Sequence, residues 1–172
     1  MNERRVVITG IGCISPLGND LDSTWDGLKN GRSGIARITQ LDPEPFDCKI
    51  AGEVKDFNAD GYFNVPKDAR RADRYVQFAV AASKMAMTDS GVDVEKTDRR
   101  RFGVMVGSGI GGLATLEKEH ATFIAKGPKR VSPFTIPMMI SNIASGIVSM
   151  EHGLYGPNMP DHLTAALSAR RS

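Results

Sequence analysis

The stretch from Phe102 to Lys126 constrains this chain more than any other. Phe102 to Val106 is an apolar run of strand length that empties into Gly107-Ser-Gly-Ile-Gly-Gly112, and Leu113 to about Lys126 follows with helical spacing. A strand that turns through glycines into a helix is the repeating step of an α/β fold with a mainly parallel sheet. The start of the chain predicts the same step, since Val6 to Ile8 reads as a short buried strand running into Gly10-Ile-Gly12. Between the two, Ser15 to Asn19 is a loop. Asp22 is placed to cap a short helix through Trp25 and Leu28 that Asn30-Gly31 stops. Asp42 to Asp47, with two prolines, excludes regular structure, and Lys49 to Val54 predicts a short strand.

The longest helix is expected from about Lys67 to Ser90, where Tyr75, Val76, Ala79, Val80 and Ser83 recur at helical spacing and Gly91 supplies the stop. Its first turns carry Lys67, Arg70, Arg71 and Arg74, the wrong sign for the positive end of a helix dipole. Such a local conflict marks a candidate functional surface. Gly127 to Arg130 and Ser132 to Pro137 are expected to be irregular. A helix of small residues from Met138 to His152 follows, closed by Gly153 and Gly156-Pro157. There is no internal repeat and no low-complexity tract.

Composition narrows the function classes. Lys plus Arg is 22 against 20 for Asp plus Glu, a net charge of +2 in 172 residues, without the basic excess of a dedicated nucleic-acid binder. Two cysteines, Cys13 and Cys48, make no disulfide framework and suit a reducing compartment. No apolar run reaches the roughly 18 residues of a membrane span, the best candidate being broken by Pro137, Ser141, Asn142, Ser145 and Ser149. The N-terminal apolar stretch is cut by Gly10 and Gly12, too short for a signal peptide, so a cytoplasmic location is expected.

Gly107-x-Gly109-x-x-Gly112 matches the dinucleotide fingerprint. The required acidic residue about 20 positions on falls at Lys126-Gly-Pro128, with neither strand nor carboxylate. The glycines then serve close strand-to-helix packing or line a substrate pocket. His120, His152 and His162 have no metal-ligand spacing with either cysteine, so no metal and no cofactor are expected. Cys13 reads as a small buried filler rather than a nucleophile. Two basic clusters, Lys67/Arg70/Arg71 and Lys129/Arg130, border the segments that would line a cleft; they suit a phosphorylated or acidic partner, or an ordinary charged surface.

Five stretches in register resemble the β-ketoacyl-acyl-carrier-protein synthases, in particular the elongating II type. They are Arg5-Val-Val-Ile-Thr-Gly-Ile-Gly, Ser15-Pro-Leu-Gly, Gly107-Ser-Gly-Ile-Gly-Gly, Ser132-Pro-Phe, and Ser141-Asn through Gly156-Pro-Asn. The resemblance, over about the first 159 residues, implies an α/β thiolase-like fold of which this chain holds an incomplete N-terminal half. It implies a homodimer in the full-length family and an acidic acyl carrier protein as partner. Lys67, Arg70, Arg71, Lys129 and Arg130 fall where the family meets that carrier. Ile110 matches the residue that gates the acyl pocket, and Thr135 a pocket-edge position that reaches across the dimer.

The same resemblance requires a nucleophilic cysteine at a buried helix N-terminus and two histidines that promote decarboxylation of the malonyl carrier. Matching Thr164-Ala165 to the family motif puts Ala166 where the cysteine belongs. No counterpart of the two histidines is found, so no catalytic residue is assigned. Pro160 and Asp161 are expected to spoil the strand that precedes the motif. Residues 160–172 therefore read as an aberrant tail, from a reading-frame shift near codon 159 or in a genuine short product. A half-sheet of this kind is expected to be poorly soluble or molten. Three functions follow in order: a condensing-enzyme portion inactive by itself, a non-catalytic carrier-binding partner, and a dinucleotide-dependent oxidoreductase.

Overall fold

The computed structural model describes residues 5–161. Along the chain run α1 (Leu21–Lys29), β1 (Ile35–Arg37), β2 (Ile50–Gly52), α2 (Pro66–Ala69), α3 (Arg74–Ser90), β3 (Val104–Gly107), α4 (Leu113–Lys126), α5 (Thr135–Met139), α6 (Ile143–His152) and β4 (Asn158–Asp161). The chain divides into two compact units, Met1–Asn58 with Ala82–Gly91, and Ala59–Ala81 with Val92–Ser172. The division falls inside α3. His162 and the remainder of the expected tail lie outside the described residues.

In the first unit, β1 and β2 form an antiparallel pair with Ala36 opposite Ala51. The sequence analysis expects only the second of these strands; both are three residues long. Asp20, not Asp22, caps α1: its carboxylate accepts from Ser23 N at 2.7 Å, and Asp22 lies in the first turn. That hydrogen bond holds the Asp20 carboxyl below its usual value. Trp25 and Leu28 on this helix are each 57% exposed.

The strand expected at Val6 to Ile8 does not form. A strand needs a ladder partner, and among the described residues these three have none; they stand 91, 62 and 85% exposed. The neighbouring glycines are nonetheless placed with purpose. A Cβ on Gly12 would lie 1.9 Å from the Ala82 carbonyl oxygen of α3, so the loop lies directly on the helix backbone.

The second unit holds a buried cluster around Val76, Val80, Ala81, Ala144 and Val148. Here β3 and β4 form the one parallel pair among the described residues, with Val106 opposite Pro160. The strand expected to be spoiled by Pro160 therefore forms, and it crosses the expected boundary at residue 159. Val104 N donates to Pro157 O at 2.8 Å; the alternation of a parallel ladder then turns residues 159 and 161 toward β3 and the proline nitrogen outward. The expectation about the Asp161 charge falls on a side chain outside those described.

Two expected helices are each broken. The 67–90 helix is interrupted at 70–73, so Lys67 lies in the single turn of α2 and not at the start of the long helix, while Arg74 opens α3 with no acidic residue in its first turn and keeps that part of the sign conflict. The 138–152 helix is interrupted at 140–142, and the segment before it, expected to be irregular, contains α5. Both breaks occur where backbone and side-chain groups bind partners distant in sequence. Gly153 ends α6 with φ 63°, as its position in the sequence predicts.

No helix of the described residues is long and apolar enough to cross a membrane. Many large apolar side chains are uncovered, among them Ile124 at 70% and Met105 at 61% exposed. Surfaces of this kind associate. Sedimentation velocity over a concentration series is expected to show the isolated chain growing in mass; a concentration-independent monomer would contradict this.

Candidate functional site

The predicted site residues all lie in the second unit, on short helices, helix ends and loops. Asp73, at the α2–α3 junction, is a buried carboxylate. Its Oδ2 accepts from Thr115 N at 3.2 Å and from Thr115 Oγ1 at 2.5 Å, and its Oδ1 accepts from Tyr75 N at 3.4 Å. Tyr75, two residues on, donates its hydroxyl to Ile140 O at 2.7 Å. Burial, and secondarily the Asp73 charge, push the Tyr75 phenol up to about 12, so it remains a donor at neutral pH. These contacts account for both helix breaks.

The glycine-rich loop after β3 lies against the α5–α6 junction. Gly112 N donates to Met139 O at 2.9 Å, and Gly111 N donates to Ser108 Oγ at 3.0 Å. Gly111 has φ 81°, and a Cβ on it would meet Met139 O at 2.2 Å; a Cβ on Gly112 would meet Met138 O at 2.5 Å. Gly109 has nothing within 4 Å of its would-be Cβ. Close packing thus explains Gly111 and Gly112 but not Gly109. The Asp73 carboxylate sits at the first turn of α4, accepting from its Thr115 amide, in the place where a dinucleotide pyrophosphate would bind. This geometry opposes the oxidoreductase reading.

Ile110 stands at the outer part of the loop, 69% exposed. Thr135 begins α5 and donates Oγ1 to Ser132 O at 2.6 Å. Lys67, Arg70 and Arg71 are exposed on α2 and the turn after it. Arg70 lies 3.9 Å from Asp60 with its side chain 77% exposed, an ion pair of little weight. Arg71 lies over the Phe134 ring, 5.5 Å from its centroid, which joins the first basic cluster to the Ser132-Pro-Phe segment. Arg71 also borders a cavity of about 240 Å³ with Phe63, Asp68, Ile147, Met150 and Glu151. Lys129 and Arg130 lie on a single 3₁₀ turn, Pro128–Arg130, between α4 and that same segment, and both are exposed. Glu119 of α4 fixes the segment's position by accepting from Ser132 N at 2.8 Å.

Asn158 explains the Gly-Pro-Asn stretch. Its amide donates to Ser145 O and to Ser149 Oγ, each at 2.7 Å, and accepts from Ser145 Oγ at 2.8 Å, tying β4 to α6. Sequence reasoning missed Asp73, Thr115 and this network. An aspartate just before a helix-periodic stretch is an N-cap signal that could have revealed Asp73; nothing local reveals Thr115. Cys13 is half-buried and Cys48 exposed, and no group of three His, Cys, Asp or Glu side chains able to hold a metal occurs among the described residues.

The family described as beta-ketoacyl synthase, N-terminal domain, matches residues 3–168. The 3-oxoacyl-[acyl-carrier-protein] synthase 2 of Staphylococcus aureus (strain COL) is 46% identical over 155 residues, covering 90% of this chain and 37% of that protein. Among solved structures, the ishigamide ketosynthase/chain length factor superposes with a TM-score of 0.82 at 31% identity, over 91% of this chain and 39% of the other. A type II polyketide acyl-carrier protein in complex with its ketosynthase gives a TM-score of 0.72 at 24% identity, over 92% and 41%, and shares the fold. The chain spans well under half the length of these proteins. Its described residues are part of the α/β thiolase-like fold of the ketosynthases, with helices and two small sheets.

Proposed function

The chain belongs to the beta-ketoacyl synthase family, through that family's N-terminal domain, and from that premise we propose that it supplies the carrier-facing surface and one wall of the acyl pocket of a condensing enzyme. The reaction is the decarboxylative condensation of an acyl thioester with malonyl carrier protein in fatty-acid elongation, carried out in the cytoplasm. Lys67, Arg70, Arg71, Lys129 and Arg130 attract the acidic carrier, and Ile110 and Thr135 border the chain-binding pocket. The observation that carries this reading is the Arg71–Phe134 contact, which makes one continuous basic and aromatic surface of two segments 63 residues apart in sequence.

The residues present bind and orient; they do not supply the nucleophile. Cys13 lies in the loop before α1 and Cys48 just before β2, neither at the N-terminus of a buried helix, and Ala166 stands where the family resemblance places the cysteine. Purified residues 1–172 are expected to release no carbon dioxide from malonyl carrier protein and to form no ketoacyl product above a heat-treated control. Condensation above that control would overturn the assignment.

A second reading is a non-catalytic carrier-binding partner that shapes the pocket of another subunit, favoured by the similarity to a ketosynthase/chain length factor. Mixing with an active condensing enzyme separates the two readings. A changed product length supports the partner role, and unchanged products argue against it.

A further inference from the structure

We propose that Asp73 is a positioning residue that couples the basic docking cluster to the glycine-rich loop carrying Ile110. The inference rests on the carrier-docking reading above and adds to it a route from the docking surface to the pocket.

The N-terminus of α4 lacks a cap of its own. Gly112 has no side chain to offer, and no acidic residue lies in the first turn. The amides there need an acceptor, and the dipole favours a negative charge. Asp73 supplies both from another element, through Thr115 N and Thr115 Oγ1. The fit is close, since a Cβ on Gly112 would lie 2.9 Å from Asp73 Oδ2. Carboxylate and loop therefore move together.

The other end of the route is equally short. Asp73 is two residues after Arg71 and three after Arg70, in a turn closed by Arg71 N to Asp68 O at 3.1 Å and Ala72 N to Ala69 O at 3.3 Å. Ala69, Ala72 and Asp73 are buried while Arg70 and Arg71 are exposed, so a partner held by the two arginines grips a turn whose inner side is the α4 cap. Tyr75 extends the grip to Ile140, beside the Met139 carbonyl that receives Gly112 N. A carrier that steadies the turn steadies the loop bearing Ile110.

Hydrogen exchange read by mass spectrometry on residues 1–172 at low concentration, with and without acidic acyl carrier protein, tests this. In the unsubstituted chain the carrier is expected to slow exchange over residues 108–115 by about tenfold. Thr115→Val, which keeps the shape and removes the hydroxyl donor, is expected to lose most of that slowing while binding the carrier within about twofold of the unsubstituted chain. Thr115→Ser is expected to restore it. Unchanged exchange in α6 serves as the check that each variant is folded. Carrier binding without any loop response in the unsubstituted chain overturns the coupling alone, whatever the variants do. A response that persists undiminished both in Thr115→Val and in Asp73→Ala, which also removes the acceptor of Thr115 N, overturns the role of Asp73. Failure of the carrier to bind overturns the docking reading and the coupling with it.

Discussion

Gly111→Ala is expected to dislodge the glycine-rich loop, and Gly109→Ala, two residues away, is expected to leave it in place. Gly111 adopts φ 81°, which an L side chain resists, and its added Cβ would meet a backbone oxygen, Met139 O, at 2.2 Å. Backbone cannot swing aside as a flexible side chain can. The left-handed conformation and the overpacking together cost roughly 2–5 kcal/mol. That is a large part of the stability of an ordinary domain, about 5–15 kcal/mol. Relief requires the loop to withdraw, which breaks the bond from Gly112 N to Met139 O and exposes the α4 cap. Limited proteolysis, with cleavage sites mapped over residues 105–116, reads this opening directly. The Gly111→Ala variant is expected to be cut there at least about tenfold faster than the unsubstituted chain, and the Gly109→Ala variant at an unchanged rate. Equal resistance of all three would mean that the loop is not held as described.

The joint substitution Arg70→Glu with Arg71→Glu is expected to weaken binding of acidic carrier protein by about a hundredfold at low salt. Reversal replaces two attractive charges by two repulsive ones and removes the Arg71 contact with Phe134. Arg70 is available for a partner because its ion pair with Asp60 is long and solvent-exposed. Binding by the unsubstituted chain is expected to fall steeply as salt rises, as screening shortens the reach of the exposed cations. Arg100→Glu with Arg101→Glu alters net charge by the same amount on a pair of exposed residues outside the cluster. If this control weakens binding as much, the effect is one of net charge and the cluster is not the docking surface. If neither variant changes the affinity, docking lies elsewhere.

Much of the candidate site was legible because its parts are local. The basic clusters, the glycine-rich loop and the Ser132-Pro-Phe segment are contiguous, and each has a chemical signature that needs no partner to recognise. Their assembly was not legible. Nothing in the sequence near Arg71 announces Phe134, and nothing near Thr115 announces Asp73, because contacts across 42 or 63 residues leave no period behind. Asp73 was hidden for a further reason: the apolar period of α3 extends backward through Ala72 and makes the junction look like continuous helix.

By itself the sequence determined the strand–glycine–helix step from Val104 to Lys126, the stop at Gly153, the strand near Ile50 and the family. Each depends on spacing and residue type within a few positions. Tertiary structure alone decided that the 67–90 and 138–152 segments would each break, and that Pro160 would lie within a strand. It also decided that Val6 to Ile8 would go without a ladder partner among the described residues. In each case the deciding quantity was where a backbone donor or acceptor finds its mate. Met139 O goes to Gly112 N and Ile140 O to the Tyr75 hydroxyl. The Pro160 nitrogen, which can donate nothing, faces away from β3. A chain states locally what its backbone prefers; only the fold says which preferences are given up for a partner elsewhere.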